Sequence, residues 1–246
     1  MTAFRMALAF LIALTFTACT PADAPSITVF AASSLTDSFT ELCELFEKEN
    51  SSYNVVVSFG ASSTLATQLI NGAPADVFAS ASQQNMTVAL DAGVVDDPAA
   101  FARNTLTIAV PGDNPADVDS LDDLASPSTK VAVCQPAAPC GVLATKVFAN
   151  AGLHVTPVTQ EADARAVLTK VVLGEVDAGL VYATDAIAAG DRVASVEIPA
   201  ALNASTDYQI AVVTDSGDRA IAQAFVDLVL SERGASVLAD AGFARP

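Results

Sequence analysis

The chain runs to 246 residues, 52% hydrophobic and 16% charged, which suits one large or two modest folded domains and excludes a disordered chain. A formal net charge of -17 makes nucleic acid and acidic membranes poor partners, so an anionic ligand would need a locally organised site. The single histidine, His154, argues against a multi-histidine metal centre.

In chain order, the first predicted element is an export signal over residues 1–18. Arg5 supplies a short positive region, and the apolar run 6–18 is too short to span a membrane as an ordinary helix. It ends in Phe16-Thr17-Ala18-Cys19, which resembles a bacterial lipoprotein processing box. That resemblance implies lipidation of Cys19, with the polar, proline-bearing residues 19–25 as a tether and the protein held outside the cell membrane. Plain secretion to the periplasm is the alternative. No later segment is long and apolar enough to span.

A strand is predicted over 27–30, and it leads into Phe30-Ala31-Ala32-Ser33-Ser34-Leu35. A helix follows, in which Phe39, Leu42, Leu45 and Phe46 recur at helical spacing and Cys43 reads as a buried free thiol. The second strand, 53–59, leads into nearly the same phrase, Phe59-Gly60-Ala61-Ser62-Ser63-Thr64, before a helix carrying Leu65, Leu69 and Ile70. Taken alone, Ser34 or Ser62 is most simply a helix N-cap. Two such ends side by side would make a neutral pocket suited to an anion, because first-turn N–H groups lack partners and lie at the positive end of the helix dipole. Gly72-Ala73-Pro74-Ala75-Asp76 reads as a helix C-cap and turn before a buried strand at 76–79.

Further strands are predicted over 105–110, 130–133, 179–182, 193–198 and 208–213, and Val167, Leu168, Val171 and Val172 mark a helix among them. Strand–helix alternation implies an α/β fold with mostly parallel sheets covered on both faces. Polar stretches before 105 and over 202–207 suggest two crossings between lobes. On that reading 27–104 with 212–246 form one lobe, 105–211 form the other, and two strands make the hinge. A single long sheet would give the same alternation.

Cys134 and Cys140 bracket Gln135-Pro136-Ala137-Ala138-Pro139, and in an exported protein this pair is read as a local disulfide. Arg165, Lys170 and His154 read as surface residues, and the dispersed acidic excess as a solubility feature.

One resemblance becomes specific here. The phrases Ile27-Thr28-Val29-Phe30-Ala31-Ala32-Ser33-Ser34-Leu35-Thr36, Ser62-Ser63-Thr64-Leu65-Ala66 and Gly72-Ala73-Pro74-Ala75-Asp76 occur in order. They are followed by Pro139-Cys140-Gly141 and by Gly179-Leu180-Val181-Tyr182 with Asp185-Ala186. Together they resemble the periplasmic molybdate-binding proteins, the solute receptors of molybdate ABC importers, from about residue 27 to residue 243. The resemblance implies a two-lobed class II periplasmic-binding-protein fold, each lobe a mixed, mostly parallel sheet flanked by helices. It further implies a ligand, molybdate or tungstate, held without a cofactor and without direct metal-cation ligands, since the metal arrives as an oxyanion. Carried over by position, Ser34 and Ser62 would donate hydroxyls, Cys140 and Ala164 backbone N–H groups, and Tyr182 its phenol, with Ser33 and Ser63 supporting. A monomer serving a membrane permease and its ATPase is implied as well. Alanine and valine are more familiar in the family at the positions of Cys140 and Ala164, but a backbone contact tolerates the change.

None of the five carried-over positions is acidic, and hydroxyl, phenol and N–H groups can all donate to a fully deprotonated dianion. Asp37, Asp76, Asp163 and Asp185 lie close by in sequence, with orientations the sequence leaves open. Two other readings stand beside this one. A receptor for sulfate or another oxyanion would use the same fold. A serine hydrolase would need a base beside Ser34 or Ser62, where only His154 is available and the G-x-S-x-G elbow is absent.

Overall fold

The computed structural model describes residues 24–246. The predicted signal, Cys19 and most of the tether lie outside the described residues. The first strand, β1 (Ser26–Ala32), carries Ile27 and Val29 with both faces covered, as a central parallel strand requires. A 3-10 turn over Ser33–Leu35 leads into α1 (Thr36–Glu49), whose Phe39, Leu42, Cys43 and Phe46 form the buried face. β2 (Asn54–Gly60) is an edge strand whose residues alternate in exposure, and α2 (Ser62–Ile70) follows it. The chain leaves α2 through Gly72 at φ +84, where Gly72 N–H donates to Leu69 O and Ala73 N–H to Gln68 O, the expected glycine cap. β3 (Val77–Ser80) is wholly buried and leads to α3 (Gln83–Asp91).

β4 (Val95–Pro111) is one strand of 17 residues, longer at its start than the 105–110 predicted. Its first part reads as a polar linker because Asp96, Asp97 and Pro98 break the apolar alternation. The structure accommodates them with register shifts between Asp96 and Ala99 and between Ala100 and Ala102, and with Asp97 at φ +45. The second half continues through β5 (Val131–Cys134), α4 (Pro139–Ala151), β6 (Thr159–Glu161), α5 (Ala164–Val172), β7 (Ala178–Tyr182), α6 (Ala183–Ala189) and β8 (Val193–Val196). β6 is too short and too polar to register as a strand in the sequence. The chain closes with β9 (Ser205–Val213), α7 (Arg219–Leu230) and α8 (Glu232–Asp240).

The strands follow the order β2-β1-β3-β9-β4-β7-β5-β6, with β8 also paired to β4. β4 joins two sheets: Val95 to Thr105 pair with β9, whereas Leu106 to Ala109 pair with β7. Each half then repeats one pattern. In the first, β1 lies parallel between β2 and β3, and β9 runs antiparallel between β3 and β4. In the second, β5 lies parallel between β6 and β7, and β4 runs antiparallel between β7 and β8. β9 pairs within the first sheet, with β3 over Gln209 to Val212 and with β4 along its length.

The core of the first half rests on aromatic edge contacts. Phe225 of α7 meets Phe46 at 5.4 Å and Phe39 at 6.1 Å between ring centroids, fixing α1 against the C-terminal helices. Truncating a buried phenylalanine of this kind costs about 3–5 kcal/mol. The free thiol of Cys43 lies in the same layer, and burial pushes it up to about 12, so it stays protonated packing material.

Candidate functional site

The repeated strand order brings corresponding strand ends face to face. From the first sheet, Ser33 and Ser34 follow β1, Ala61 and Ser62 follow β2, and Ala81 follows β3. From the second, Pro139 and Cys140 follow β5, Asp163 and Ala164 follow β6, and Tyr182 closes β7. They enclose a space of about 10 Å³ for the centre of a water-sized sphere, room for one compact group. Ser34, Ser62, Cys140, Ala164, Tyr182 and Ser33 all line it. Ser63 does not, and lies half-buried in the first turn of α2.

Neither Ser34 nor Ser62 caps its own helix, which corrects the simplest reading of each. Ser34 sits within the 3-10 turn, and Ala61, not Ser62, is the N-cap residue of α2, with no side-chain cap bond at either place. Each hydroxyl oxygen has a more distant partner. Ser62 Oγ accepts from the backbone N–H of Ala81 at 2.9 Å, and Ser34 Oγ lies 2.8 Å from the Tyr208 hydroxyl.

The backbone donors arise from helix starts. Pro139 is the first residue of α4 and has no N–H, so Cys140 carries the first free one. On α5 the cap is Asp163, whose Oδ1 accepts from Ala166 N–H at 3.0 Å and leaves the Ala164 N–H unclaimed by the cap. Cys134 and Cys140 form a disulfide, as the sequence suggested, tying the end of β5 to the first turn of α4. Gly141 follows in close contact: a Cβ there would stand 2.0 Å from Gln135 O. Gln135 N–H donates to Glu161 O at 2.8 Å, so the loops bearing Cys140 and Ala164 are linked.

Tyr182 is buried, and its hydroxyl has no hydrogen-bond partner among the described residues. Burial pushes the phenol well above its usual range, with Tyr208 and Asp185 adding to the effect, so Tyr182 is a neutral donor. A buried hydroxyl without a partner is uncommon in a folded protein, and this one stands at the pocket wall.

Asp163 is the one carboxylate residue in the pocket lining, while Asp76 and Asp37 have partners elsewhere. Asp76 Oδ2 accepts from Thr28 N–H at 2.7 Å, and its Oδ1 accepts from Ser216 at 2.6 Å. Asp37 pairs with Arg165, and Arg165 Nε also lies 2.9 Å from Oδ1 of the fully buried Asp185, without a directed hydrogen bond there. Burial pushes Asp185 up to about 7 although Arg165 pulls it down. Arg165 is therefore an ion-pair centre and not the solvated surface residue expected. Tyr208, Asn104 and Thr184 were also missed: Tyr208 opens a predicted strand and Asn104 lies in the supposed linker, so local pattern marks neither. No cluster able to hold a metal cation occurs among the described residues, and no helix among them is long and apolar enough to cross a membrane.

Two α/β sheets sharing β4, with helix starts and hydroxyls facing one small pocket whose lining carries a single carboxylate, Asp163, define a solute-binding architecture. The chain belongs to that family: residues 27–244 match the bacterial extracellular solute-binding protein family. The molybdate-binding protein ModA of Mycobacterium tuberculosis H37Rv is 42% identical over 224 residues, 91% of this chain and 86% of that protein. Among solved structures, the periplasmic molybdate-binding protein of Azotobacter vinelandii superposes with a TM-score of 0.79 at 21% identity, over 89% of this chain and 99% of that one. The sulfate-binding protein SubI of M. tuberculosis superposes with a TM-score of 0.80 at 22% identity, over 90% and 87%. At those identities the two structures speak for the fold alone.

Proposed function

We propose that this protein captures molybdate, and tungstate as its near-isostere, outside the membrane and delivers it to an ABC permease with its ATPase. Ser34, Ser62 and Tyr182 donate hydroxyls to the oxyanion, and Cys140 and Ala164 donate backbone N–H groups. Ser33 supports the first turn, since its carbonyl accepts from Thr36 Oγ1 at 2.6 Å. The observation carrying this reading is the buried, unpaired Tyr182 hydroxyl facing serines whose acceptor sides are already engaged. Residues 27–104 with 212–246, and residues 105–211, act as two lobes that close about β4 and β9. The protein works as a monomer, anchored through Cys19 or free in the periplasm.

Charge-assisted hydrogen bonds contribute about 1.5–3 kcal/mol each, so five donors supply enough gross energy for tight capture after the costs of closure. The hydroxyl, phenol and N–H donors suit a dianion that only accepts, and the single lining carboxylate, Asp163, caps α5 through its Oδ1. Sulfate shares that chemistry and is the second reading. A hydrolase finds less support, because His154 is exposed after α4 and does not line the pocket. Calorimetry with molybdate, tungstate, sulfate and phosphate decides. Heat with molybdate and tungstate is expected; heat with sulfate alone would sink the molybdate assignment and leave the anion trap standing.

A further inference from the structure

Behind Ser34 lies a buried polar chain that reaches into both hinge strands. Tyr208 of β9 places its hydroxyl 2.8 Å from Ser34 Oγ, and Asn104 of β4 places Nδ2 3.4 Å from the same hydroxyl. Asn104 Nδ2 also donates to Thr184 Oγ1 of α6 at 2.8 Å. Tyr208 and Asn104 are buried, as are Ser34 and Thr184.

The direction of this chain follows from donor and acceptor chemistry. The backbone N–H of Thr105 donates to Asn104 Oδ1 at 2.9 Å, which identifies that atom as the carbonyl oxygen and Nδ2 as the amide nitrogen. An amide nitrogen only donates, so the Tyr208 oxygen accepts from it. The Tyr208 proton then has one acceptor at hydrogen-bond geometry among the described residues, Ser34 Oγ, since the neighbouring Tyr182 hydroxyl makes no such bond. Were Ser34 to donate to Tyr208 instead, the phenolic proton would be buried without a partner, at a cost of about 1–3 kcal/mol. With its oxygen engaged from behind, Ser34 turns its own proton toward the pocket.

We propose that Asn104 and Tyr208 are positioning residues: a one-way chain of donors, from Asn104 Nδ2 to the Tyr208 hydroxyl to Ser34 Oγ, commits Ser34 to donating into the pocket. Ser62 is set in the same way by the Ala81 N–H, so both serines present protons rather than lone pairs. The inference rests on the oxyanion-site reading above. It adds that the hinge strands themselves hold the site's polarity.

A double-mutant cycle tests it, with molybdate and sulfate titrated in parallel against the wild type, Ser34→Ala, Tyr208→Phe and the double variant. Tyr208→Phe keeps the ring that packs on Phe101, Tyr182 and Phe243. Loss of one serine hydrogen bond is expected to weaken binding about tenfold in Ser34→Ala, and Tyr208→Phe is expected to weaken it by a similar factor. On the Ser34→Ala background Tyr208→Phe should then change affinity less than about twofold, because the hydroxyl it orients is gone. Asn104→Ala, in the same cycle, is expected to show a smaller loss that also vanishes without Ser34, and melting curves verify that each variant is folded. A full Ser34 effect beside an unaffected Tyr208→Phe, or losses that simply add, would overturn the relay alone. Unchanged affinity in Ser34→Ala would overturn the site reading, and the relay with it.

Discussion

The backbone N–H of Ala81, at the end of β3, donates to Ser62 Oγ across 2.9 Å, joining two strand ends of the first sheet. This bond both places the hydroxyl and leaves its proton for the pocket. Ser62→Ala is expected to weaken oxyanion binding by about 1.5–3 kcal/mol, the value of a charge-assisted hydrogen bond. It also strands the Ala81 N–H, so the variant should lose about 1 kcal/mol of stability. Calorimetry and urea unfolding measure the two effects, and an unaltered affinity would return Ser62 to a purely structural role.

Tyr182 separates binding from stability in the opposite sense. Its buried hydroxyl has no partner among the described residues, so Tyr182→Phe removes an unsatisfied group from the ligand-free protein. Ligand-free stability should hold or rise, while affinity falls by about 1.5–3 kcal/mol. A stability loss with unchanged affinity would show that the phenol is core packing.

Arg165 of α5 and Asp37 of α1 form an ion pair between the two halves of the molecule, and Ile187 of α6 sits against Gly242 beside it. With the Asp37 side exposed, such a pair contributes about 0.2–1 kcal/mol and is screened by salt. Asp37→Asn is therefore expected to speed ligand release up to about fivefold at low ionic strength, with the difference shrinking in salt. Stopped-flow dissociation measures this; equal release rates for the variant and wild type at low salt would remove the pair from the closed state.

Asp185 makes stability depend on pH in a defined direction. Burial raises its folded pKa to about 7, above the value of about 3.9 expected for an unfolded chain. The folded state thus binds the extra proton, and this contribution is fully present below about pH 4 and lost as pH rises toward 7. Asp185→Asn cannot lose it, so the variant's stability relative to wild type should climb between about pH 4 and 7 by on the order of a few kcal/mol. Urea midpoints across that range test the claim, and a difference independent of pH would contradict it.

The disulfide ties Cys140, a proposed N–H donor, to the end of β5. Closing so short a loop restricts the unfolded chain by about 2 kcal/mol, so Cys134→Ala with Cys140→Ala should lower stability by that order. Affinity should also fall a few-fold, because the linked loops of Cys140 and Ala164 lose a constraint. Equal affinity in the bridged and unbridged proteins would confine the disulfide to stability.

Much of the site was legible because its signals are local. Phe39, Leu42 and Phe46 repeat at helical spacing, and Ser34 and Ser62 sit in contiguous phrases at strand ends. The ordered motifs through Tyr182 carried the family resemblance. Short-range periodicity reports which face of an element is buried, and the backbone at a strand end carries its donors with it.

Tertiary structure alone decided what completes each hydroxyl. Tyr208 lies 174 residues from Ser34, and Asn104 falls where Asp96, Asp97 and Pro98 disguise a long strand as a linker. Four aspartates near the motifs were indistinguishable in sequence until folding turned Asp76 toward Ser216 and set Asp37 and Asp185 against Arg165. A hydrogen bond depends on position within a few tenths of an ångström, and composition along the chain carries no such information. The sequence therefore determined which groups could donate, and the contacts of Ser34 with Tyr208 on β9 and of Ser62 with Ala81 after β3 decided how those hydroxyls are set.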